Sequence, residues 1–535
     1  MRFFNTAGPI VAARHYHVPP LSRFDLEDLD RLIDQWQYFV LHAPRQTGKT
    51  TALRALRDRL NASGDYRCVY VNVEPAQTAR EDVERGMRAI LNQLGRQATS
   101  TLQDDTVHET WPVVLARAGA DTALSDTLAE WAALDHSKPL VLLIDEIDAL
   151  IGDTLVSVLR QLRAGYAERP AQFPQSVILG GVRDVRDYRI HASSEKEPVL
   201  GGSAFNVKAE SLRLGDFRED DVRDLLGQHT HETGQRFSDP ALAEIWRLTR
   251  GQPWLVNALA RELCFKKTGV LDRSRDLTLH AVTDARERLI LRRDTHLDQL
   301  LHKLEEPRVQ RVIEPILSGE PRGEPFHIED LRYVRDLGLV TRTKPLAISN
   351  PIYREVIPRE LTYAQAAAMT HETAWYVGED GVLRMDALLE AFQDHFRANT
   401  AHRDERFQYK EAGPQLLLQC FLERVVNSGG RIEQEYGVGR GRVDLAVIWP
   451  LGASSDGGAP SRREQRVVIE CKLMRDGLDA ALRVGLPQTA AYMDEWGAAE
   501  GHLVLFDRTA GRKWGEKIFR REAEHDGVSI TVWGA

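Results

Sequence analysis

"YFVLHAPRQTGKTTALRALRDRLNASG" (residues 38–64) decides how the first part of the chain is read. It opens on an apolar run suited to a buried strand and closes on an amphipathic helical pattern. Between them stands APRQTGKTT (43–51), which fits the phosphate-loop pattern GxxxxGK[ST] with Ala43 in place of the first Gly. Such a loop turns backbone N–H groups toward an anion at the positive end of a helix. Ala43, Pro44, Arg45, Gln46, Thr47, Gly48, Lys49, Thr50 and Thr51 are therefore the candidate nucleotide-binding run. Lys49 is expected to reach the β- and γ-phosphates of ATP, and Thr50 to hold Mg²⁺.

Outward from this loop, CVYVNVEP (68–75), PLVLLIDEID (139–148) and SVILGGV (176–182) read as further buried strands. TTALRALRDRLNASG and TLVSVLRQLRAGY read as helices between strands, so the pattern predicts a parallel α/β sheet. Asp145 ends the third of these runs and is the second candidate Mg²⁺ ligand; Glu146, next to it, is placed to orient or deprotonate water.

From 216 to 290 the pattern turns helical, as in REDDVRDLLGQHTHETG, DPALAEIWRLTRG and PWLVNALARELCFK. HIEDLRYVRDLGLVTRTKPLAISNPIYREVIPREL (327–361) reads as a winged-helix unit: a helix ending at Gly338, then two short apolar strands across TRTKP. The expected divisions are an ATPase core at 1–215, a helical lid at 216–290, a winged helix at 291–362, a helical connector at 363–408 and a last domain at 409–535.

That last stretch begins with a helix, PQLLLQCFLERVVNSGG, followed by strands, with GASSDGGAPSRREQ (452–465) as a flexible hairpin loop. In RVVIECKLMRDG (466–477), period-two alternation puts Glu470 and Lys472 on one face and Cys471 on the other. A surface strand shows the same alternation with no chemistry attached. Upstream, RIEQEYGVGRGRVDLAVIWP (431–450) brings Asp444 into a neighbouring strand. Two carboxylates there suit a divalent cation beside a phosphodiester, and a lysine suits the attacking water.

The net charge of −9 is against an overall polycation, so any nucleic-acid contact must come from local patches. Cys68, Cys264, Cys420 and Cys471 are scattered without a CxxC pair, which points to a reduced compartment. The 17 His show no paired metal spacing. There is no signal-peptide pattern and no apolar run near the ~18 residues that span a bilayer, so a cytoplasmic protein without a membrane partner is expected.

TRGQPWLVNALARE (249–262) resembles the Gly-x-Pro motif that signal-transduction (STAND) ATPases and archaeal-type AAA+ relatives place against the adenine. YHVPPLSR (16–23) and LRLGDFREDDV (212–222) resemble the same group, and the likeness covers roughly residues 5–360. It implies Pro253 at the nucleotide and Arg183, in GGVRDV, at the sensor position; a solvated arginine is the alternative. No arginine finger of ring-forming motors can be assigned, so a homo-oligomer or an activating trigger stays open.

Residues 405–535 resemble the PD-(D/E)xK nuclease superfamily, with Val443 where its proline often stands and an Asp-to-Glu spacing of 26 that the 452–465 loop accounts for. Gln488 and Tyr492 in LPQTAAYMDEW are similar to the QxxxY helix of its recombination-exonuclease branch. The resemblance implies catalysis by Asp444, Glu470, Lys472, Gln488 and Tyr492, and Mg²⁺ or Mn²⁺ on Asp444 and Glu470. Glu411, preferred to Glu423, is the further acidic ligand from the first helix, and Arg440 and Arg442 are candidate phosphate contacts. The expected fold is thus multidomain α/β: a P-loop parallel sheet with helical lid and winged helix, plus a restriction-endonuclease-like α/β core. The expected activity is an ATP-dependent switch controlling a nuclease, with DNA preferred to RNA and a prokaryotic defence role by analogy. The alternative is a DNA-binding ATPase or repair motor whose nuclease fold is inactive or accessory.

Overall fold

The computed structural model describes residues 1–183, 189–190, 199–200, 208–292, 302–317, 326–361, 376–378, 380–400, 413–426, 431–433, 445–451, 464–474, 477–507, 509 and 512–535. The chain divides into two compact units, residues 1–292 with 336–338, and residues 293–335 with 339–535.

In the first unit the four runs read as strands are β1 (Tyr38–His42), β2 (Arg67–Asn72), β3 (Leu140–Asp145) and β4 (Ser176–Gly181). A short antiparallel pair, β5 (Arg189–Ile190) and β6 (Val199–Leu200), precedes a fifth sheet strand, β7 (Lys208–Arg213). The sheet order is β2-β3-β4-β1-β7, and every pairing in it is parallel. Parallel strands are covered on both faces, which is why β1, β3 and β4 are buried along their whole length and read as continuous apolar runs.

Period-two alternation divides these strands between two cores. Val40, Val71, Leu142, Ile144, Val177 and Leu179 pack on one face with α3 (Val83–Leu102), α4 (Thr106–Ala118), α5 (Ala123–Ala132) and α6 (Gly152–Ala164). Phe39, Leu41, Tyr70, Val141, Leu143 and Ile178 pack on the other with α1 (Leu26–Asp34) and α2 (Lys49–Ser63). Connections leave the neighbouring strands β1 and β4 in opposite directions, toward β2 and toward β7. In open parallel sheets ligands settle outside the carboxyl ends at such a reversal, and the 43–51 loop stands at the end of β1.

Four helices follow: α7 (Glu219–Thr233), α8 (Asp239–Thr249), α9 (Pro253–Phe265) and α10 (Leu279–Arg292). Glu262 on α9 is buried and takes Arg288 Nε at 2.9 Å, Arg292 Nη1 at 2.5 Å and Thr268 Oγ1 at 2.8 Å, which locks α10 onto α9. His229 on α7 sits inside a ring of Phe4, Tyr16, Phe237 and Phe265, so the N-terminal segment is part of this core. Gly251 (φ 77°) ends the turn before α9, where a Cβ would stand 2.0 Å from the Phe217 carbonyl oxygen.

The second unit holds α11 (Pro307–Leu317), most of α12 (Ile328–Asp336), α13 (Pro351–Leu361), α14 (Met385–Thr400) and α15 (Gly413–Val426). The two short strands expected across TRTKP reduce to one isolated antiparallel bridge, Val340 to Ile348, because the intervening arms are too short for a ladder. A six-stranded mixed sheet follows, made of β8 (Arg431–Glu433), β9 (Leu445–Pro450), β10 (Glu464–Leu473), β11 (Glu500–Phe506), β12 (Phe519–His525) and β13 (Val528–Gly534). Its order is β12-β13-β11-β10-β9-β8, with β10, β11 and β13 mutually parallel and the remaining pairs antiparallel. The helix α16 (Leu478–Trp496) makes the crossover from β10 to β11.

Gly251→Ala is expected to cost roughly 2–4 kcal/mol, since it combines a left-handed backbone with a steric clash; urea unfolding measures it. Burial holds the His229 imidazole below its usual value of 6.5. The folded state therefore stays neutral while the unfolded chain takes a proton, and stability falls as pH drops below about 6.5. Melting temperatures from pH 8 to pH 5 should fall less steeply in His229→Gln than in the wild type.

Candidate functional site

The loop after β1 is shaped by two residues at positive φ, Gln46 (60°) and Gly48 (90°), and Gly48 caps α2. Thr47 Oγ1 donates to Pro44 O at 2.8 Å, closing the loop on itself. Lys49 is 7% exposed, with Nζ 3.8 Å from Asp145 Oδ1 and 3.8 Å from Glu146 Oε1. Thr50 Oγ1 donates to Asp145 Oδ2 at 2.6 Å. Thr51 faces the N-terminal segment instead, its Oγ1 accepting from Ile10 N at 3.2 Å.

Asp145 is fully buried at the end of β3, and it also accepts from Tyr70 Oη at 3.0 Å and from Glu146 N at 2.9 Å. A buried carboxylate is tolerated only with this density of donors and a nearby cation. Gly180 on β4 makes the room, since a Cβ there would meet Asp145 Oδ1 at 2.9 Å and Leu53 at 2.8 Å. Burial and the Asp145 charge push the Tyr70 phenol far up, so it stays a neutral donor. Glu146 is held at φ 58°, outside the usual range of a non-glycine residue, and burial raises its carboxyl above the ordinary value. A raised pKa at a strained position beside a cation is the condition of a tuned acid or base. Thr50 and Asp145 present adjacent oxygen donors, the donor set that fits Mg²⁺.

The outer members of the predicted set are less closely joined. Arg183 is half-buried just past β4, where Val182 N donates to Asp148 Oδ1 at 3.1 Å. Pro253 is buried at the first turn of α9, behind Gln252, whose Oε1 caps Leu255 N at 2.6 Å. Two residues outside the candidate set complete the surroundings, Tyr70 and Arg23, the latter ending the YHVPPLSR stretch. Tyr70 lies beneath Asp145. Arg23 donates from Nη1 to Thr47 O at 2.6 Å and from Nε to Gly215 O at 2.9 Å. Burial pushes its guanidinium down to about 10, which leaves it charged at neutral pH.

In the second unit Glu470 is 1% exposed on β10, and Lys472 Nζ donates to its Oε1 at 2.5 Å. Both follow the register of Val468, which packs with Tyr492, Met493 and Leu503 on the sheet face that α16 covers. Ile469 and Cys471 face the opposite core, with α14 and α15. Tyr492 is buried, and Gln488 Oε1 is enclosed with no hydrogen-bond partner among the described residues. Asp444, Glu411, Arg440 and Arg442 lie outside the described residues, as does the side chain of Glu423.

Among the described residues Asp386, Glu500 and His502 also gather atoms of metal-ligand type. Their hydrogen bonds assign them another role. Trp533 Nε1 donates to His502 Nδ1 at 3.1 Å, so the imidazole proton sits on Nε2, which donates to Glu500 Oε1 at 3.0 Å. In this tautomer Nε2 has no lone pair for a cation, and Asp386 is paired with Arg520. The group ties β11 to β13.

Residues 34–188 match the family model described as "AAA domain". The chain carries an AAA-type P-loop ATPase domain, a class that binds nucleotide and usually Mg²⁺. No curated protein matches the chain. Among solved structures it is similar to a Walker-type ATPase of Pyrococcus abyssi, at 11% identity and a TM-score of 0.44, over 66% of this chain and 99% of that one. It is similar to Cdc6p from Pyrobaculum aerophilum at 15% identity and a TM-score of 0.35, over 66% and 97% of the two chains. It is also similar to RuvB, a Holliday junction branch migration motor of Thermotoga maritima, at 13% identity and a TM-score of 0.32, over 62% and 94%. In the described residues no helix is long and apolar enough to cross a membrane.

Lys49→Ala removes the ammonium expected at the phosphates and takes away the cation 3.8 Å from Asp145 and Glu146. ATP should then give no thermal stabilisation, whereas the wild type should gain several degrees at saturating nucleotide.

Proposed function

We propose that this protein is an ATP-dependent switch of the STAND or archaeal AAA+ type that controls a C-terminal nuclease of the PD-(D/E)xK kind. The observation that carries the nuclease half is the buried Glu470, bonded to Lys472 at 2.5 Å on the face of β10 that α16 covers. An acid and a lysine two residues apart on a buried face need a chemical reason, because burying either group alone is unfavourable. Cleavage of a phosphodiester supplies one.

At the ATPase site Lys49 binds the β- and γ-phosphates while Glu146, kept basic enough by its raised pKa, accepts a proton from the attacking water. Thr50 and Asp145 would hold Mg²⁺, which neutralises phosphate charge when bound. Pro253 and Arg183 report nucleotide to the helical lid and, through it, to the winged helix. At the nuclease site Glu470 and Asp444, joined by Glu411, are the residues that would hold Mg²⁺ or Mn²⁺. Lys472 orients the water, and Gln488 and Tyr492 position the nucleic-acid strand. The substrate is DNA in preference to RNA, and the setting is prokaryotic defence against phage or mobile elements.

The test crosses wild type, Lys49→Ala, Asp444→Ala and Lys472→Ala with ATP, a non-hydrolysable analogue and no nucleotide, with plasmid cleavage in Mg²⁺ or Mn²⁺ as the readout. Cleavage by the wild type should fall by about two orders of magnitude or more in Lys472→Ala and Asp444→Ala. It should change its nucleotide dependence in Lys49→Ala. Cleavage that survives Lys472→Ala sinks the nuclease assignment. No cleavage, together with ATP turnover that rises with DNA length, would support a repair or recombination motor instead.

A further inference from the structure

We propose that Arg23 is a positioning residue of the phosphate loop, setting the Thr47–Gly48 peptide for phosphate binding and coupling that setting to the turn that enters the helical lid. The inference rests on reading residues 43–51 as the phosphate loop.

Four observations support it. Arg23 ends YHVPPLSR, twenty residues before the loop motif begins at Ala43, and its Nη1 donates to Thr47 O at 2.6 Å. In a trans peptide the C=O and the next N–H point in opposite directions. A donor holding Thr47 O on one side therefore aims Gly48 N–H to the other. No hydrogen bond among the described residues takes Gly48 N–H, whereas Gly48 O already accepts from Ala52 N at 3.0 Å. The bond to Thr47 O also polarises the shared peptide and makes Gly48 N–H a stronger donor for an anion.

The second observation is geometric. A Cβ on Gly48 would stand 3.3 Å from Arg23 Nη1, so the guanidinium is packed against the loop at its sharpest point, where φ is 90°. The third is electrostatic. Arg23 bonds the carbonyl oxygens of Thr47 and Gly215, and Asp216 and Asp221 act on its charge through space. A positive charge directly behind the loop deepens the potential that draws phosphate.

The fourth observation concerns the lid. The same planar fork grips Gly215 O through Nε at 2.9 Å and through Nη2, and it stacks 5.1 Å over the Phe217 ring. Phe217 N in turn donates to Gly251 O at 2.9 Å, at the turn that starts α9. One side chain thus holds a carbonyl of the phosphate loop and a carbonyl of the lid's entry turn. Lysine, with a single ammonium, lacks the fork geometry to hold both in plane.

Calorimetric binding of ATP and ADP, with steady-state ATP turnover, compares wild type, R23A, R23K, R23Q and K49A, and each apo protein is melted alongside. R23A should lose about tenfold or more in affinity for both nucleotides, seen as a raised KM with a smaller change in kcat. R23K should recover part of that loss. R23Q, neutral but able to donate, should resemble R23A. A purely structural role would lower the apo melting temperature and leave KM of the folded protein unchanged, which overturns the proposal. Should R23A not fold, R23K and R23Q carry the same comparison. If the wild type binds no nucleotide, the phosphate-loop reading itself fails; if the wild type binds, K49A does not, and R23A and R23Q match the wild type, only the role of Arg23 is wrong.

Discussion

A carboxylate with no exposure to water, Asp145, sits at the end of β3 and must be neutralised by its surroundings. Thr50, Tyr70 and the Glu146 N–H bond it, and Lys49 stands 3.8 Å away. These partners come from α2, β2 and the residue after β3, so the carboxylate is satisfied only when those elements have come together. The space it needs exists because β4 ends in glycine. An arrangement that is costly to empty and ready to exchange its donors for a cation and phosphates is what an AAA-type ATPase domain requires.

The second unit meets a similar constraint. Glu470 is buried and bonded to Lys472, and the helix covering that face brings Tyr492 and the enclosed amide of Gln488. A buried carboxylate is unfavourable unless it is paired, and an acid and lysine paired under a helix are the physical basis for proposing a site there. The Asp386–Glu500–His502 group shows why clustering alone is a poor guide. A single donor, the Trp533 indole, fixes the tautomer and turns an apparent ligand set into a structural tie.

Much of the first unit was legible along the chain. Buried parallel strands leave continuous apolar runs, and Asp145 and Glu146 announce themselves by ending one of them. The same holds for β10, whose alternation divides Glu470 and Lys472 from Cys471 whatever the rest of the fold does. Helices α3 to α5 were less visible, since their apolar positions serve packing against one another as well as against the sheet. The expected strands around TRTKP shrank to one bridge because a propensity for extended backbone does not set how many residues will pair.

The sequence by itself determined the phosphate loop, the strand ends that carry carboxylates and the face on which Glu470 and Lys472 lie, because each depends on residues within a few positions of one another. Tertiary structure alone decided that β4 would separate β1 from β3, that Tyr70 would lie beneath Asp145, and that Arg23 would grip the Thr47 carbonyl. Strand order and hydrogen bonds to backbone carbonyls join residues far apart in the chain. A carbonyl is offered by every residue alike, so no local pattern marks the one that a distant arginine will choose.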